Sequence, residues 1–334
     1  MRQQELWDGF FADHFGGSRR ARALFLRAGA RTRHGVANPL VEDVTGWSTG
    51  RRMRRYAAEA LPLGKDAVAA ALDDAGTSAD DIGLLAVCSC TGYATPGLDV
   101  LLARDLGMPA DVRRLSIGHM GCYAALPGLG AVSDYVTGHG RPAVLLCVEL
   151  TSLHIQPRTD DLDQVVSHAL FSDAAAAVVV TPGTGLRIVD VASRTDFATA
   201  DHMSWEVTDL GFRMGLSPRV PDVLGTQVGG AVADLLRRHG LTVADVAGWA
   251  VHPGGPRILD VTGQALGLPA DALRPSREVL SEHGNCSSAT VLVVLREVAR
   301  RTAGGSYVVA MAFGPGLTLY AALLRTPESL EGFR

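Results

Sequence analysis

Two hexapeptides that differ at one position, LGMPAD at 106–111 and LGLPAD at 266–271, lie 160 residues apart in this 334-residue chain. The segment before the first, AALDDAGTSADDIGLLAVC (70–88), resembles VADLLRRHGLTVADVAGWAVH (232–252) at a similar offset. A repeat of this length is domain-sized, since solenoid units span only roughly 20 to 50 residues. We therefore expect two similar halves, residues 1–182 and 183–334, packed against each other.

The repeat also pairs polar residues. After each hexapeptide a glycine and a small polar residue open an apolar run, Gly121-Cys122 in the first half and Gly284-Asn285 in the second. The alignment matches Cys122 with Asn285, and the strand end at Cys88 with His252. Since equivalent loops of two packed halves meet at their junction, these groups are predicted to converge.

Alternating strand and helix patterns favour an α/β architecture. The runs GLLAVCSC (83–90) and AVLLCVEL (143–150) are typical of buried strands, whereas GKDAVAAALDDAG (64–76) and GAVADLLRRHG (230–240) have helical periodicity. A chain with 47% hydrophobic and 20% charged residues can bury a large core or two fused ones.

Charge and hydropathy exclude several classes of protein. A net charge of −4 argues against a general nucleic-acid surface. No apolar run reaches the roughly 18 residues of a membrane helix, and the start MRQQELWDGFF does not resemble a signal peptide. We therefore expect a cytoplasmic protein without a membrane span.

The cysteine spacing favours neither disulfides nor a metal site. Five cysteines in an intracellular chain of this size do not suggest a disulfide framework. Cys88-Ser-Cys90 has no second ligand pair at zinc-site spacing, so no metal is predicted. Six arginines crowd residues 19–33, and on charge alone a solvated helix face is favoured over an anion site.

Cys122 lies in GHMGCYAALPGLG (118–130), where a glycine-framed turn opens a helix. A helix N-terminus and a neighbouring imidazolium are two devices that lower a thiol pKa, and the turn supplies the first. Pro127 is tolerable only near the first turn of that helix. Because free cysteine is usually a small buried hydrophobe, the local pattern leaves a nucleophile and a core residue equally open.

His252 and Asn285 complete a set suited to acyl transfer. His252 ends an apolar strand in WAVHPGGPR and could supply the imidazolium, although a lone histidine is more often a satisfied core residue. Asn285, in EHGNCSSAT, could cap a helix or donate its amide to an oxyanion or enolate. Together with Cys122 they predict acyl-transfer chemistry.

Several motifs together resemble the type III polyketide synthases of the chalcone-synthase family, on the thiolase-type fold. They are GWSTG (46–50), GHMGCYAA (118–125), ALFSD (169–173), HPGG (252–255), GNCSSA (284–289) and FGPGLT (313–318). The resemblance covers about residues 4–324 and implies a layered α-β-α-β-α arrangement of the two halves. Ketoacyl-carrier-protein synthase III enzymes and thiolases are the alternatives within that fold.

The resemblance implies a mechanism without a metal or redox cofactor. Cys122 takes an acyl group from coenzyme A, and His252 and Asn285 stabilise the enolate formed when malonyl-CoA loses CO2. The chain is extended and then cyclised to an aromatic or pyrone product. A non-catalytic homologue serving as a partner subunit is a further alternative.

The family pattern also assigns binding residues. Phe171 matches a gatekeeper aromatic and Met214 replaces a second one, while Trp205 replaces a glycine and is expected to shrink the elongation cavity. Cys90, 32 residues before Cys122, has a spacing that resembles synthases using malonyl-CoA alone, with a small strand-end residue equally open. The other pocket residues implied are Thr91, Thr95, Thr151, Leu153, His154, Ser287, Pro315 and Gly316.

Coenzyme A and a second subunit are the implied partners. Arg20 and Arg27 match residues that bind the phosphates of coenzyme A, and Arg22 could replace a third such residue. Gly254 is also implied to contact coenzyme A. On this ground the anion-site reading of the arginines is preferred. Thr95-Pro96 matches a loop that enters the neighbouring subunit, so a homodimer is expected. Members of the resembled family begin with a strand that is not found before QQELWDGFF, so either the start of this sequence is late or the first sheet lacks an outer or central strand.

Overall fold

Ten strands form the sheets in residues 1–183 and 185–328, the part of the chain described by the computed structural model. They are β1 Leu84–Ser89, β2 Arg113–Gly118, β3 Ala143–Glu149, β4 Ala174–Val180, β5 Arg187–Thr195, β6 Met203–Thr208, β7 Gly211–Leu216, β8 Val246–Val251, β9 Tyr307–Gly314 and β10 Thr318–Arg325. The α-helices of the same residues are α1 Gln3–Leu6, α2 Ala12–His14, α3 Arg19–Leu26, α4 Thr49–Ala75, α5 Leu98–Asp105, α6 Ala125–His139, α7 Leu162–Leu170, α8 Val220–Arg237, α9 Pro256–Leu266, α10 Arg274–His283 and α11 Ser288–Arg301.

The two main sheets share a core of three strands with the same order and directions. Their strand orders are β2-β1-β3-β4 and β5-β10-β9-β8, and β6 and β7 form a separate hairpin. In the first sheet β1 runs parallel to β3 and β3 antiparallel to β4. In the second, β8 runs parallel to β9 and β9 antiparallel to β10. Thus β1, β3 and β4 are the counterparts of β8, β9 and β10.

The helices complete the layered arrangement expected from the resemblance. Helices α6 and α11 lie between the sheets and contact strands of both. Helices α4 and α5 cover the outer face of the first sheet, and α8, backed by α9, covers that of the second. The result is an α-β-α-β-α stack, in which the loops preceding α6 and α11 meet at the junction of the halves.

The predicted elements are present, but two helices begin earlier than the periodicity indicated. Helix α4 begins at Thr49 rather than residue 64 and contains Pro62, and α8 begins at Val220 rather than residue 230. The first turns of α4 are rich in arginine, and one of their buried residues is Arg52. A pattern of apolar residues therefore does not detect the buried face of these turns. Strand β3 is buried at every position, as its uninterrupted apolar run predicted.

One detail of the predicted pairing is wrong. Cys88 lies inside β1, which ends at Ser89, so the residue that follows this strand as His252 follows β8 is Cys90. Pairing of β8 with β9 shifts register between Val246 and Gly248.

The sheets differ at both edges. Strand β1 pairs with β2 on the side away from β3, whereas within the described residues its counterpart β8 is an edge strand. Strand β10 pairs with β5 on the side away from β9, whereas within the described residues β4 is an edge strand of the first sheet. Among the residues described, no helix is both long and apolar enough to cross a membrane.

Candidate active site

Cys122 occupies a 3-10 turn, Gly121–Tyr123, that leads into α6. Gly121 has a φ of +73°, and a Cβ at this position would lie 2.8 Å from Cδ of Pro315. Both facts require glycine, because another residue would be strained and would collide with the 313–318 loop. Pro127 falls in the first turn of α6, where it costs the helix no internal hydrogen bond. The turn therefore fixes Cys122 at the start of a buried helix.

The equivalent turn of the second half places Asn285 beside this sulfur. Asn285 Oδ1 accepts a hydrogen bond of 2.9 Å from the backbone N–H of Ser287, whose φ is +48°. That bond holds the turn and leaves the amide NH2 available. The side chains of Ser287 and Asn285 approach the Cys122 sulfur and favour its thiolate form. The predicted pairing of Cys122 with Asn285 thus corresponds to a spatial approach.

His252 is the residue that directly follows β8. Its backbone N–H bonds the carbonyl of Met311 at 2.7 Å, and its side chain is 1% exposed. Neither ring nitrogen has a hydrogen-bond partner among the described residues. Gly255, three residues on, packs against Leu170, whose carbonyl accepts the backbone N–H of Asn285 at 2.8 Å. The loops carrying His252 and Asn285 therefore meet at Leu170.

The pKa of Cys122 differs from the expectation. Burial raises it to about 12, a shift that Ser287 opposes and the nearby charge of Glu149 reinforces. Burial likewise lowers the pKa of His252 to about 3. A single charge is costly on either group because neither is solvated. The helix start alone does not generate a thiolate, contrary to the local argument from sequence.

A buried carboxylic acid, Glu149, lies under the site. It accepts hydrogen bonds from the backbone N–H of Cys90 (3.0 Å), from Thr91 Oγ1 (2.9 Å) and from Ser288 Oγ (2.6 Å), and Cys90 Sγ approaches to 3.4 Å. Burial raises the pKa of Glu149 despite these donors. Its sequence signal is an acidic residue at the end of an otherwise apolar strand, a pattern that the sequence analysis does not use.

A small cavity, here called the inner cavity, adjoins these turns. Its volume is about 20 Å³ and its wall includes Thr151, His154, Phe171, Trp205 and Met214. The indole N–H of Trp205 donates to the carbonyl of Cys90 at 2.7 Å, which fixes the ring across the space. A cavity of this size holds about one or two waters. The expectation that Trp205 narrows the pocket agrees with this geometry.

His154 forms a fixed part of that wall. Its Nε2 lies 2.7 Å from the carbonyl of Thr91, and its Nδ1 accepts the backbone N–H of Phe212 at 3.0 Å. Burial lowers its pKa to about 4. Both nitrogens are committed to backbone groups in the neutral tautomer, so His154 shapes the cavity and is not free to transfer protons.

The remaining predicted residues lie in different environments. Leu153 is fully buried in the core of the first half, while Thr95 lies on the surface and bonds Tyr93. Pro315 contacts the Cys122 turn, and Gly316 follows it with a φ of +88°. Gly254 precedes the turn at Gly255 beside His252. In the residues described, no group of three or more histidine, cysteine or acidic side chains could hold a metal ion.

The arginines assigned to coenzyme A are exposed. Arg20 and Arg22 lie on α3, and Arg27 follows its last turn. None of the three forms an ion pair within residues 1–183 and 185–328, whereas most other surface arginines do. Helix α3 packs on α7, which ends directly before Phe171. The patch formed by Arg20, Arg22 and Arg27 therefore carries positive charge without paired carboxylates among the described residues. It is connected through α3 and α7 to Phe171 in the wall of the inner cavity.

Family models match both halves of the chain. Residues 36–185 match the N-terminal domain of chalcone and stilbene synthases, and residues 191–327 match their C-terminal domain. The chain belongs to the chalcone and stilbene synthase family. Its activity class is that of the type III polyketide synthases, acyl-condensing enzymes of the thiolase-like fold.

Individual relatives agree with this assignment. A 1,3,6,8-tetrahydroxynaphthalene synthase of Streptomyces peucetius subsp. caesius is 40% identical over 314 residues, covering 91% of this chain and 83% of the relative. The alpha-pyrone synthesis polyketide synthase-like Pks18 of Mycobacterium tuberculosis is 32% identical, covering 81% and 72%. The crystal structure of the tetrahydroxynaphthalene synthase of Streptomyces coelicolor A3(2) superposes with a TM-score of 0.92 at 30% identity, covering 98% and 96%.

Proposed function

We propose that this type III polyketide synthase carries its acyl chain on Cys122 and extends it with malonyl units bound by His252 and Asn285. One observation supports this most strongly. A buried imidazole without a partner among the described residues and a side-chain amide lie on two loops that meet at Leu170, and the amide lies beside the Cys122 sulfur. Buried donors without acceptors are costly, so a carbonyl oxygen of the substrate is their natural partner.

The first step is proton transfer from Cys122 Sγ to His252. Burial opposes either charge alone, but transfer creates both charges at once, and each then stabilises the other. The thiolate attacks the thioester carbonyl of an acyl-CoA, the acyl–sulfur bond forms on Cys122, and the coenzyme A thiol leaves with a proton. The starter is then held as a thioester at the start of α6.

The second step is decarboxylation and condensation. The thioester carbonyl of malonyl-CoA accepts hydrogen bonds from His252 and Asn285. As CO2 leaves, the electron pair of the broken carbon–carbon bond moves into the enolate that these donors stabilise. The enolate carbon attacks the Cys122 thioester, the Cys122–acyl bond breaks, and the lengthened chain is left on coenzyme A. Return of the chain to Cys122 allows another round.

A small starter suits the inner cavity. Trp205 is fixed across the space by its bond to Cys90, and Met214 and Phe171 close the remaining wall. Similarity to a tetrahydroxynaphthalene synthase and the position of Cys90 favour a starter derived from malonyl-CoA itself. We propose such a starter, and few extensions, for this enzyme.

The exposed arginines are proposed to bind the phosphates of coenzyme A. Guanidinium groups suit phosphate because they offer several donors in one plane. Arg20, Arg22 and Arg27 have no carboxylate partner to displace within the described residues. Reversing one of these charges should raise the KM for acyl-CoA and leave kcat nearly unchanged.

A homodimer is proposed through the edge of the first sheet. Strand β2 is exposed along nearly its whole length. Arg114 in this strand bonds Asp99 at 2.6 Å, and Asp99 lies at the start of α5, just after the exposed Thr95. The edge and the Thr95 loop thus lie on one surface. Light scattering should report a dimer, and Leu115→Glu should yield monomer.

Mass spectrometry tests the proposed chemistry. The wild-type enzyme mixed with malonyl-CoA and short acyl-CoAs should gain one acyl group on Cys122 and release polyketide products and CO2. Carrier-protein dependence with a single condensation would indicate a ketoacyl synthase instead. No adduct and no CO2 would indicate a non-catalytic subunit.

A further inference from the structure

A second cavity lies behind the wall of the inner cavity. It has a volume of about 40 Å³ and is lined by Phe11, Arg33, Thr151, His168 and Phe171 among others, and we call it the Arg33 cavity. Thr151, His168 and Phe171 line the inner cavity as well. Phe171 also bridges the backbone of Asn285. The two cavities are therefore separated only by side chains next to the active site.

Arg33 brings a positive charge into this space. Its side chain is buried, lies under the rings of Phe11 and Phe25, and donates from Nη1 to the carbonyls of His168 and Phe171, the latter at 3.1 Å. Its Nε is buried and has no acceptor in the described residues. Burial lowers the pKa of Arg33 to about 9, so it remains charged at neutral pH.

No carboxylate among the described residues forms an ion pair with Arg33. Asp173 is close enough to affect Arg33 but forms no ion pair with it in residues 1–183 and 185–328. Its oxygens instead accept from the backbone of Val36 and from Ser152 and Thr151, at 2.5–3.1 Å. The unsatisfied Nε of Arg33 is thus left for a ligand.

His168 adds a second donor. Its Nε2 accepts the backbone N–H of Gln156 at 3.2 Å, and burial lowers its pKa to about 3, so the ring is neutral. A neutral imidazole that accepts at Nε2 carries its proton on Nδ1. Within the described chain that N–H has no acceptor. The Arg33 cavity therefore has two donors, one of them on a cationic group, awaiting an acceptor.

We propose that the Arg33 cavity is a subsite for a carboxylate at the far end of the acyl chain held on Cys122. Arginine binds carboxylate through a charge-assisted hydrogen bond, and a neutral alkyl end would leave both donors unsatisfied. The subsite rests on the proposed function, because the chain must be anchored on Cys122. It selects monothioesters of dicarboxylic acids, whose chain passes Phe171 and Thr151 to reach Arg33.

Competition between matched thioesters tests the subsite. Cys122 of the wild-type enzyme is acylated with glutaryl-CoA and with pentanoyl-CoA, which have equal chain lengths and differ in the terminal carboxylate. The wild type should prefer glutaryl-CoA by about tenfold or more, and Arg33→Met should abolish this preference while pentanoyl-CoA still reacts. Arg158→Met, an exposed arginine 3.7 Å from Asp13, is the control and should keep the preference.

The outcomes are separable. Equal acylation of the wild type by both thioesters overturns the subsite and needs no variant, and a preference that survives in Arg33→Met overturns it too. If Arg33→Met does not fold, His168→Phe keeps an aromatic ring against Phe11 and should lower the preference by removing the second donor. Failure of every acyl-CoA to modify Cys122 overturns the proposed function itself.

Discussion

The turns before α6 and α11 occupy equivalent positions in the two halves, yet they present opposite chemistry to the same space. The first ends in a thiol, Cys122, framed by a glycine that the 313–318 loop allows no larger residue to replace. The second ends in an amide, Asn285, whose oxygen holds the turn while its nitrogen remains available. In the proposed function, the first half supplies the group that is acylated and the second supplies a hydrogen-bond donor to the substrate.

The residues that follow β1 and β8 show the same division. Cys90 and its neighbour Thr91 are bound to Glu149, whereas both ring nitrogens of His252 lack a partner among the described residues. Hydrogen-bonded groups hold a scaffold, and unsatisfied buried groups await a substrate. The two halves thus have similar frameworks but differ in polar satisfaction: the groups after β1 are hydrogen-bonded, and the ring nitrogens after β8 lack partners among the described residues.

Removing the nucleophile should have the largest effect. Cys122→Ala leaves the first turn without a group to carry the chain, and product formation should fall by about a thousandfold or more. Cys147→Ala, which removes another buried thiol from β3 of the same sheet, is the control. Retention of most product formation by Cys122→Ala, measured by mass spectrometry, would contradict the account.

Removing the donor from the second turn should have the next largest effect. Asn285→Asp can keep the bond to the N–H of Ser287 but cannot donate from its side chain when ionised. Loss of one such donor costs about 100- to 1000-fold in kcat. Cys286→Ala changes the adjacent residue of the same turn and should retain activity, and equal losses in the two variants would point to a merely structural turn.

Stability of the first half should depend on Arg52. This fully buried side chain donates to the carbonyls of Thr45 (3.1 Å), Trp47 (2.9 Å), Ile155 (3.1 Å) and Leu153. Arg52→Met leaves these acceptors unsatisfied and should lower the free energy of unfolding by about 3 kcal/mol or more. Arg51→Met, which removes an exposed guanidinium stacked on Trp47, should cost only about 0.5–1 kcal/mol. Chemical denaturation measures both, and similar losses would contradict the prediction.

The smallest effect concerns the β6–β7 hairpin. Trp205→Ala removes the ring across the inner cavity and makes room for longer acyl chains. It should raise kcat/KM for longer acyl-CoAs by only about tenfold, because an apolar pocket gains little free energy from each added methylene. Phe197→Ala removes an aromatic that is 85% exposed and should leave the substrate profile unchanged. If Trp205→Ala has the same dependence of kcat/KM on acyl-CoA length as the wild type, another part of the enzyme limits the length of the acyl chain.

Much of this arrangement could be predicted because its signals lie within short stretches of the sequence. The hexapeptides located the repeat, apolar runs located β1 and β3, and a glycine before a helix start located Cys122. The resemblance then assigned Phe171 and Trp205, which the structure places around one cavity. In such a motif, a residue required by the backbone conformation, such as Gly121, lies next to a residue with a functional side chain, such as Cys122.

The rest depended on contacts between distant segments. Arg52 is buried because the carbonyls it binds include two about 100 residues away, and no pattern in α4 reveals them. In the sequence Arg33 is one charge of an arginine cluster, whereas in the structure it packs against aromatic rings and the end of α7. The pKa of Cys122 was expected to fall because its helix start is visible in sequence, whereas the burial that raises it is a property of the assembled halves.

A crossed measurement of partial reactions tests the division between the halves most directly. Thioester formation on the enzyme from a short acyl-CoA and CO2 release from malonyl-CoA are measured in Cys122→Ala and Asn285→Asp. We predict that Cys122→Ala forms no thioester yet releases CO2, while Asn285→Asp forms the thioester and releases little CO2. Loss of both reactions in both folded variants would contradict separate roles for the two turns.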